Sequence, residues 1–380
     1  MRPEAIHQFI PTLAPRDAIG AHTLQVRALL RDMGFGSEIF AGEARSEMAS
    51  EAHPYRQFGG QRHRGRHQRR SWLLYQSSIG SPVGDFVAGC PEPKLVNFHN
   101  VTPSAYLEAW DPEVAQATAL GHQQLVELAP DVVLAIAVSR FNRRELTEAG
   151  FRSTTVAPLL IDLGSGRGDG DADAATVDRL MAARRAGGAD LLFVGRIAPH
   201  KAQHDLIKAL AAYRQAYDPK ARLRLVGGIS SPAYRRALDR FVAHLGLAEA
   251  VDMPGSVTDE QLAAYYRSAD VFVCCSDHEG FCVPLLEAMH HQLPIVAFGA
   301  AAVPETVGAG GVVLPAKGPA LVAAAVHRVV DDTALRAVLL DAGRARLAEL
   351  SLERSRARFA AIVEETVGDG TSVEGVSVPS

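Results

Sequence analysis

Four cysteines in 380 residues are too few for a disulfide scaffold. Two of them, Cys274 and Cys275, are adjacent in an apolar run, so buried free thiols are expected. No apolar run approaches the ~18–20 residues of a spanning helix. The longest candidate, Val132 to Val138, reads as a buried strand. The stretch Met1 to Arg16 is interrupted by Pro3, His7, Pro11 and Pro15 and has no signal-peptide core. The expected location is therefore cytoplasmic, with contact at a membrane surface still open. A net charge of -4 gives no electrostatic case for a nucleic-acid partner.

What is present suits a globular chain: 47% hydrophobic and 22% charged residues. The length exceeds one ordinary core and fits two. Strand-like runs alternate with helical periods. Ile6 to Ile10 is followed by Val26, Leu29, Leu30 and Met33 at helical spacing. Gly34 and Gly36 close that helix before a strand at Glu38 to Ala41. Trp72 to Tyr75, Leu95 to Phe98 and Val132 to Val138 continue the series. Gly164 to Asp173 is rich in Gly and Asp and reads as a linker or exposed loop. A second series follows: Leu191 to Val194, Arg222 to Val226, Val271 to Cys275 and Pro294 to Phe298. Thr258 with Gln261 forms a capping box. Residues 367–380 have the composition of a loose tail. The rhythm is β-α-β, repeated as two Rossmann-like α/β units. In such sheets ligands bind beyond the carboxyl ends of the strands, and a cleft between two units is a favoured site.

Two loops at such strand ends carry chemistry. Gly195-Arg196-Ile197-Ala198-Pro199-His200-Lys201 follows the strand at 191–194. Arg196 and Lys201 together can neutralise a diphosphate; alone they read equally as solvated loop charges. The second loop runs from Ser276 through Glu279, Gly280, Phe281, Cys282 and Val283 into a helix with Pro284 at its start. Gly280 permits close approach of a ligand. The amides of Phe281 to Val283 and the helix dipole favour an anion. Glu279 and Glu287 can face one pocket, where a carboxylate can accept two neighbouring hydroxyls; Glu287 also reads as a simple dipole partner.

Glu279 and Glu287 form E-x7-E, preceded by Gly195-Arg196 and Lys201. This pair of motifs resembles the retaining GT-B glycosyltransferases of family 4, the glycogen synthase and mannosyltransferase group, along nearly the whole chain. The resemblance implies an acceptor domain at 1–165, a linker at 166–187, a donor domain at 188–366 and a tail at 367–380, the last helix being a candidate to pack back on the first domain. It implies that Arg196 and Lys201 hold the diphosphate of a nucleotide-sugar, Glu287 the ribose, Glu279 the transferred sugar, and that Val257 lies near the base. Gly20 would let backbone approach the diphosphate, although the family's double glycine is absent. His99 would stand at the sugar's reacting face, whereas a lone histidine at a strand end is otherwise more often structural. Asp17, His22, Asn100, Ser139 and Arg140 are the candidates for the acceptor site or the cleft.

On this reading the chain is a hexosyltransferase acting on a glycan, lipid-linked or small-molecule acceptor, with UDP or GDP on the donor and no metal or other cofactor. Asp169-Gly170-Asp171-Ala172-Asp173 is D-x-D-like, but it sits in the linker and not at a strand end. Cys275, His278 and Cys282 fall as C-x2-H-x3-C with His290 and His291 downstream, yet no second ligand pair closes a zinc site. The basic run Gln61 to Arg70 reads as an exposed loop or as a contact for an anionic acceptor or membrane. Rival readings are a GT-B nucleotide-sugar epimerase and a non-catalytic binding subunit.

Overall fold

The computed structural model describes residues 2–61, 71–164 and 172–368. Two all-parallel sheets organise the chain. The first holds β1 (Ala5–Leu13), β2 (Ile39–Ala44), β3 (His53–Pro54), β4 (Ser71–Ser77), β5 (Lys94–Phe98), β6 (Val132–Ala137) and β7 (Thr154–Val156), in the order β3-β2-β1-β4-β5-β6-β7. The second holds β8 (Asp190–Val194), β9 (Arg222–Val226), β10 (Val251–Gly255), β11 (Val271–Cys274), β12 (Ile295–Phe298) and β13 (Val312–Leu314), in the order β10-β9-β8-β11-β12-β13. Each order reverses beside its first strand, at β1/β4 and at β8/β11. Loops leaving those strands diverge and open a crevice. Central strands such as β8 and β11 are buried along their whole length because helices cover both faces.

Every strand expected from the sequence is present. β3, β7, β10 and β13 were not anticipated. They are short edge or near-edge strands, and β10 carries Pro254 and Gly255, which hide it.

The stretch expected as a linker differs. Ala174–Arg185 is a helix, capped by Asp173, whose carboxylate accepts from Thr176 N at 2.8 Å. Leu180 is buried in the core of the second sheet. Arg179 donates to Tyr265 Oη at 2.7 Å and Arg184 to the carbonyl of Ser268 at 2.8 Å, which ties this helix to the one at Asp259–Ser268. Polar anchoring thus holds a segment whose apolar content alone suggests a loop. Asp169 and Asp171 of the D-x-D-like string, and residues 62–70 of the basic run, lie outside the described residues.

The last helix, Leu352–Gly368, leaves the second half and packs on the first. Phe359, Ile362, Val363 and Val367 share a core with Ile6, Val26, Leu74 and Ile136. Val367 is therefore helical and buried, not the start of a tail; 369–380 lie outside the described residues.

Candidate active site

The two motif loops meet at the β8/β11 switch point. Lys201 ends a short turn after β8, and its Nζ pairs with Glu279 Oε1 at 2.7 Å in a largely buried setting. The amide of Asp277 donates to the carbonyl of His200 at 2.8 Å, and that of Ala302 donates to the carbonyl of Glu279 at 3.1 Å, so the loops are fixed to each other and to the β12 loop. His200 is buried and held well below the ordinary imidazole range by desolvation, with Lys201 and Arg196 adding to it. The cationic character of the corner thus rests on Lys201 and the exposed Arg196.

Glu287 lies in the helix Val283–His290 and is buried; Tyr266 Oη donates to its Oε2 at 2.7 Å. Tyr266 was not anticipated. It comes from the helix Asp259–Ser268, 21 residues earlier, and no spacing rule links the two. Cys282 caps the helix with φ 68°, and Phe281 is fixed through its carbonyl by Thr306 Oγ1 at 2.5 Å. Val257 is half-buried against the second core.

Gly280 is one of the places where the two halves touch. A Cβ placed there would stand 2.5 Å from Asn100 Cβ and 2.7 Å from the carbonyl oxygen of His99. Only a residue without a side chain allows this approach. Around it, His278 Nε2 donates to Asn100 Oδ1 at 2.6 Å, and Asn100 Nδ2 donates to Glu145 Oε2 at 2.7 Å and to Asn142 Oδ1 at 3.2 Å. Burial holds His278 down to about 4, so it is neutral. Burial raises Glu145 to about 7, against the Asn100 hydrogen bond, which lowers it.

His99 is buried beside this contact, with Nε2 at 2.6 Å from Gln76 Oε1. Desolvation, then His22, keeps its ring well below the ordinary range, so it is a neutral group at the cleft. His22 departs from expectation. It is fully buried: Nδ1 accepts from Leu160 N at 2.9 Å, and Nε2 lies 2.6 Å from Asn97 Nδ2. Burial depresses it to about 3. It therefore supports His99 from behind and does not line the cleft. Gln8, Gln76 and Asn97 complete this buried polar network across β1, β4 and β5.

Other expected cleft residues serve the backbone. Asp17 caps the helix Ala18–Asp32 by accepting from Gly20 N at 3.0 Å. Gly20 sits where a Cβ would meet the carbonyl of Ala14 at 2.8 Å, and its amide is spent on Asp17, so it packs the helix and does not offer a free N–H. Ser139 is buried and caps Arg140–Glu148. The Arg140 side chain is exposed, and its amide donates to Glu305 Oε2 at 2.8 Å, a second link between the halves. Asp17 also borders a cavity of about 370 Å³ whose wall includes Arg16, Glu47 and, from the second half, Asp259. Another, of about 460 Å³, lies among Thr12, Glu43, Tyr55, Arg56 and Ser81. Neither is walled by Lys201, Glu279 or Glu287.

Two Rossmann-type sheets with a cation–carboxylate corner between them define the GT-B class. The family model described as glycosyl transferases group 1 matches residues 182–346. A D-inositol 3-phosphate glycosyltransferase of Geodermatophilus obscurus is 34% identical over 283 residues, covering 69% of this chain and 59% of that one. The enzyme of the same name from Kineococcus radiotolerans is 32% identical, covering 72% and 67%. The chain belongs to the group 1 glycosyltransferase family, although it spans only about three-fifths of the first of these relatives. Sucrose-phosphate synthase from Thermosynechococcus elongatus superposes with a TM-score of 0.71 at 19% identity, covering 96% and 100%. HepE from Anabaena, solved with UDP and glucose, gives 0.71 at 18% identity, covering 95% and 100%.

Proposed function

We propose that this chain transfers a hexose-type sugar from a nucleoside diphosphate sugar to an acceptor held by the domain at 1–165, with retention at the anomeric carbon and without a metal cofactor. The observation that carries this reading is the Lys201–Glu279 pair at the switch point, with Arg196 exposed beside it. Leaving-group departure places negative charge on the diphosphate and positive charge on the sugar. Lys201 exchanges its carboxylate for the phosphate as that charge develops, and Glu279 is released to face the sugar. Both act where charge appears in the transition state. Glu287, oriented by Tyr266, receives the ribose hydroxyls. Neutral His99 faces the sugar without competing for the diphosphate. Front-face attack is favoured because no second carboxylate is assigned as a nucleophile. The basic run 61–70 is proposed to meet an anionic acceptor or membrane surface.

The donor is tested by a thermal-shift panel of UDP, GDP, ADP and their sugars, with EDTA and with magnesium, on wild type and Glu287→Ala. A ligand at a hundred times its Kd stabilises by about 2.7 kcal/mol. One nucleotide should stabilise wild type in EDTA and fail with the variant. Absence of any shift would favour the non-catalytic reading. Inositol 3-phosphate, for which the two relatives are named, belongs in the acceptor screen. An inverted product anomer by NMR would overturn retention.

A further inference from the structure

The zinc pattern at Cys275, His278 and Cys282 does not assemble. Cys274 ends β11 and Cys275 follows it, so strand alternation directs the two to opposite faces. Cys275 is set among Asp205, Lys317 and Asp277, and His278 is committed to Asn100. The chain instead brings a different set together. Cys274 Sγ, Cys282 Sγ and a Glu279 carboxylate oxygen all lie within 4.8 Å of one another, and all three residues are buried. Cys274 Sγ also donates to Ser276 Oγ at 3.4 Å.

We propose that Cys274, Glu279 and Cys282 form a binding site for a thiophilic divalent cation, zinc or cadmium. A tetrahedral zinc ion with Zn–S bonds of about 2.3 Å spaces two sulfurs about 3.8 Å apart, which suits two sulfurs that already lie within 4.8 Å of each other. Glu279 supplies a third ligand, and the fourth position is left for water. Binding releases one proton from each thiol, so affinity rises with pH. The resulting two thiolates and carboxylate around a dication carry one net negative charge, which Lys201, 2.7 Å from Glu279, offsets.

Cys282 is a buried member of the second core, as Cys274 is. Its φ of 68° is left-handed, a conformation costing a non-glycine residue about 1–2 kcal/mol. Backbone geometry there favours glycine, yet the chain keeps a thiol and directs it at Cys274. The cation is not a cofactor here. It would engage the carboxylate that Lys201 now pairs with.

The site is tested on the full chain, reduced with a phosphine and freed of metal, by titrating zinc against a chromophoric chelator. Cadmium in a parallel titration reports its thiolate charge-transfer band. One zinc per chain is expected, with magnesium failing to compete. Cys282→Gly relieves the left-handed strain and so keeps the fold; it should lose the zinc and the cadmium band. Cys274→Ser should do the same, and Glu279→Gln should weaken zinc roughly tenfold or more. Cys90→Ser and Cys275→Ser should keep both. Unchanged zinc stoichiometry in Cys282→Gly, loss in Cys275→Ser but not in Cys274→Ser, or absence of binding to wild type would each overturn the assignment. These readouts need no nucleotide-sugar, so their failure is separate from failure of the proposed transferase activity.

Discussion

Gly280→Ala is the most informative single substitution. The added methyl would stand 2.5 Å from Asn100 Cβ and 2.7 Å from the His99 carbonyl oxygen. Carbon–carbon contacts settle at about 3.5–4.0 Å, so the two halves must part by about 1 Å. Neither obstacle is the end of a flexible chain, and rotamer changes cannot absorb the clash. The sites on either side keep their own internal contacts. Lys201 and Glu279 belong to one half and His99 to the other, so parting separates donor from acceptor without dismantling either. A misplacement of about 1 Å costs about a hundredfold in rate, or about 2.7 kcal/mol of barrier. Donor affinity, measured by thermal shift, should stay within about threefold of wild type. Transfer to a saturating acceptor should fall about a hundredfold. A variant with full transfer activity would refute the claim that the Gly280 contact sets the working distance.

Lys201→Ala strands the buried Glu279 and removes a charge-assisted contact of about 1.5–3 kcal/mol, so nucleotide affinity should weaken roughly 10- to 150-fold in equilibrium binding. Tyr266→Phe removes the hydrogen bond to Glu287 Oε2 and should lower nucleotide affinity several-fold, with a fall in Tm of a few degrees. Glu145 has its folded pKa raised above the unfolded value by burial, so the fold binds the proton more tightly than the unfolded chain. Its contribution is present below pH ~4.5 and is lost as pH rises through about 7. Glu145→Gln should therefore raise Tm relative to wild type at pH 8 and leave the difference small at pH 4.5; equal differences at both pH values would contradict this. His99→Ala should lower kcat more than it raises the donor Kd, which initial rates and thermal shift together resolve.

Much of this architecture was legible in the chain because its cues are local. Apolar runs marked the long strands, and the loops at 195–201 and 276–283 announced themselves through Gly, Arg, Lys and Glu at strand ends. The capping box at Thr258 formed as read. The cues failed where partners are remote. Nothing near Asn100 signals that it bridges Glu145 and His278. His22 sits on a helix beside a strand-end loop, the place where cleft residues occur, yet the rotation of that helix aims it inward at Leu160 and Asn97. The helix 174–185 was hidden because polar caps and arginine anchors hold it more than an apolar stripe does. Cys282 was legible as a thiol but not as the neighbour of Cys274, since a spacing of eight residues brings two side chains together only once the loop has turned back.

The return of the final helix bears on how the polypeptide is made. Phe359, Ile362 and Val363 complete a core whose other members include Ile6, Val26 and Leu74. Roughly 200 residues separate Ala157 from that helix, and at ~5–20 residues per second a ribosome needs roughly 10–40 s to supply them. Throughout that interval the emerging first half carries an open apolar seam beside Ile6 and Leu74. The second half has no comparable debt, because its core draws on residues between Val138 and Leu339. The core of the later-synthesised half is thus complete in sequence before that of the earlier one.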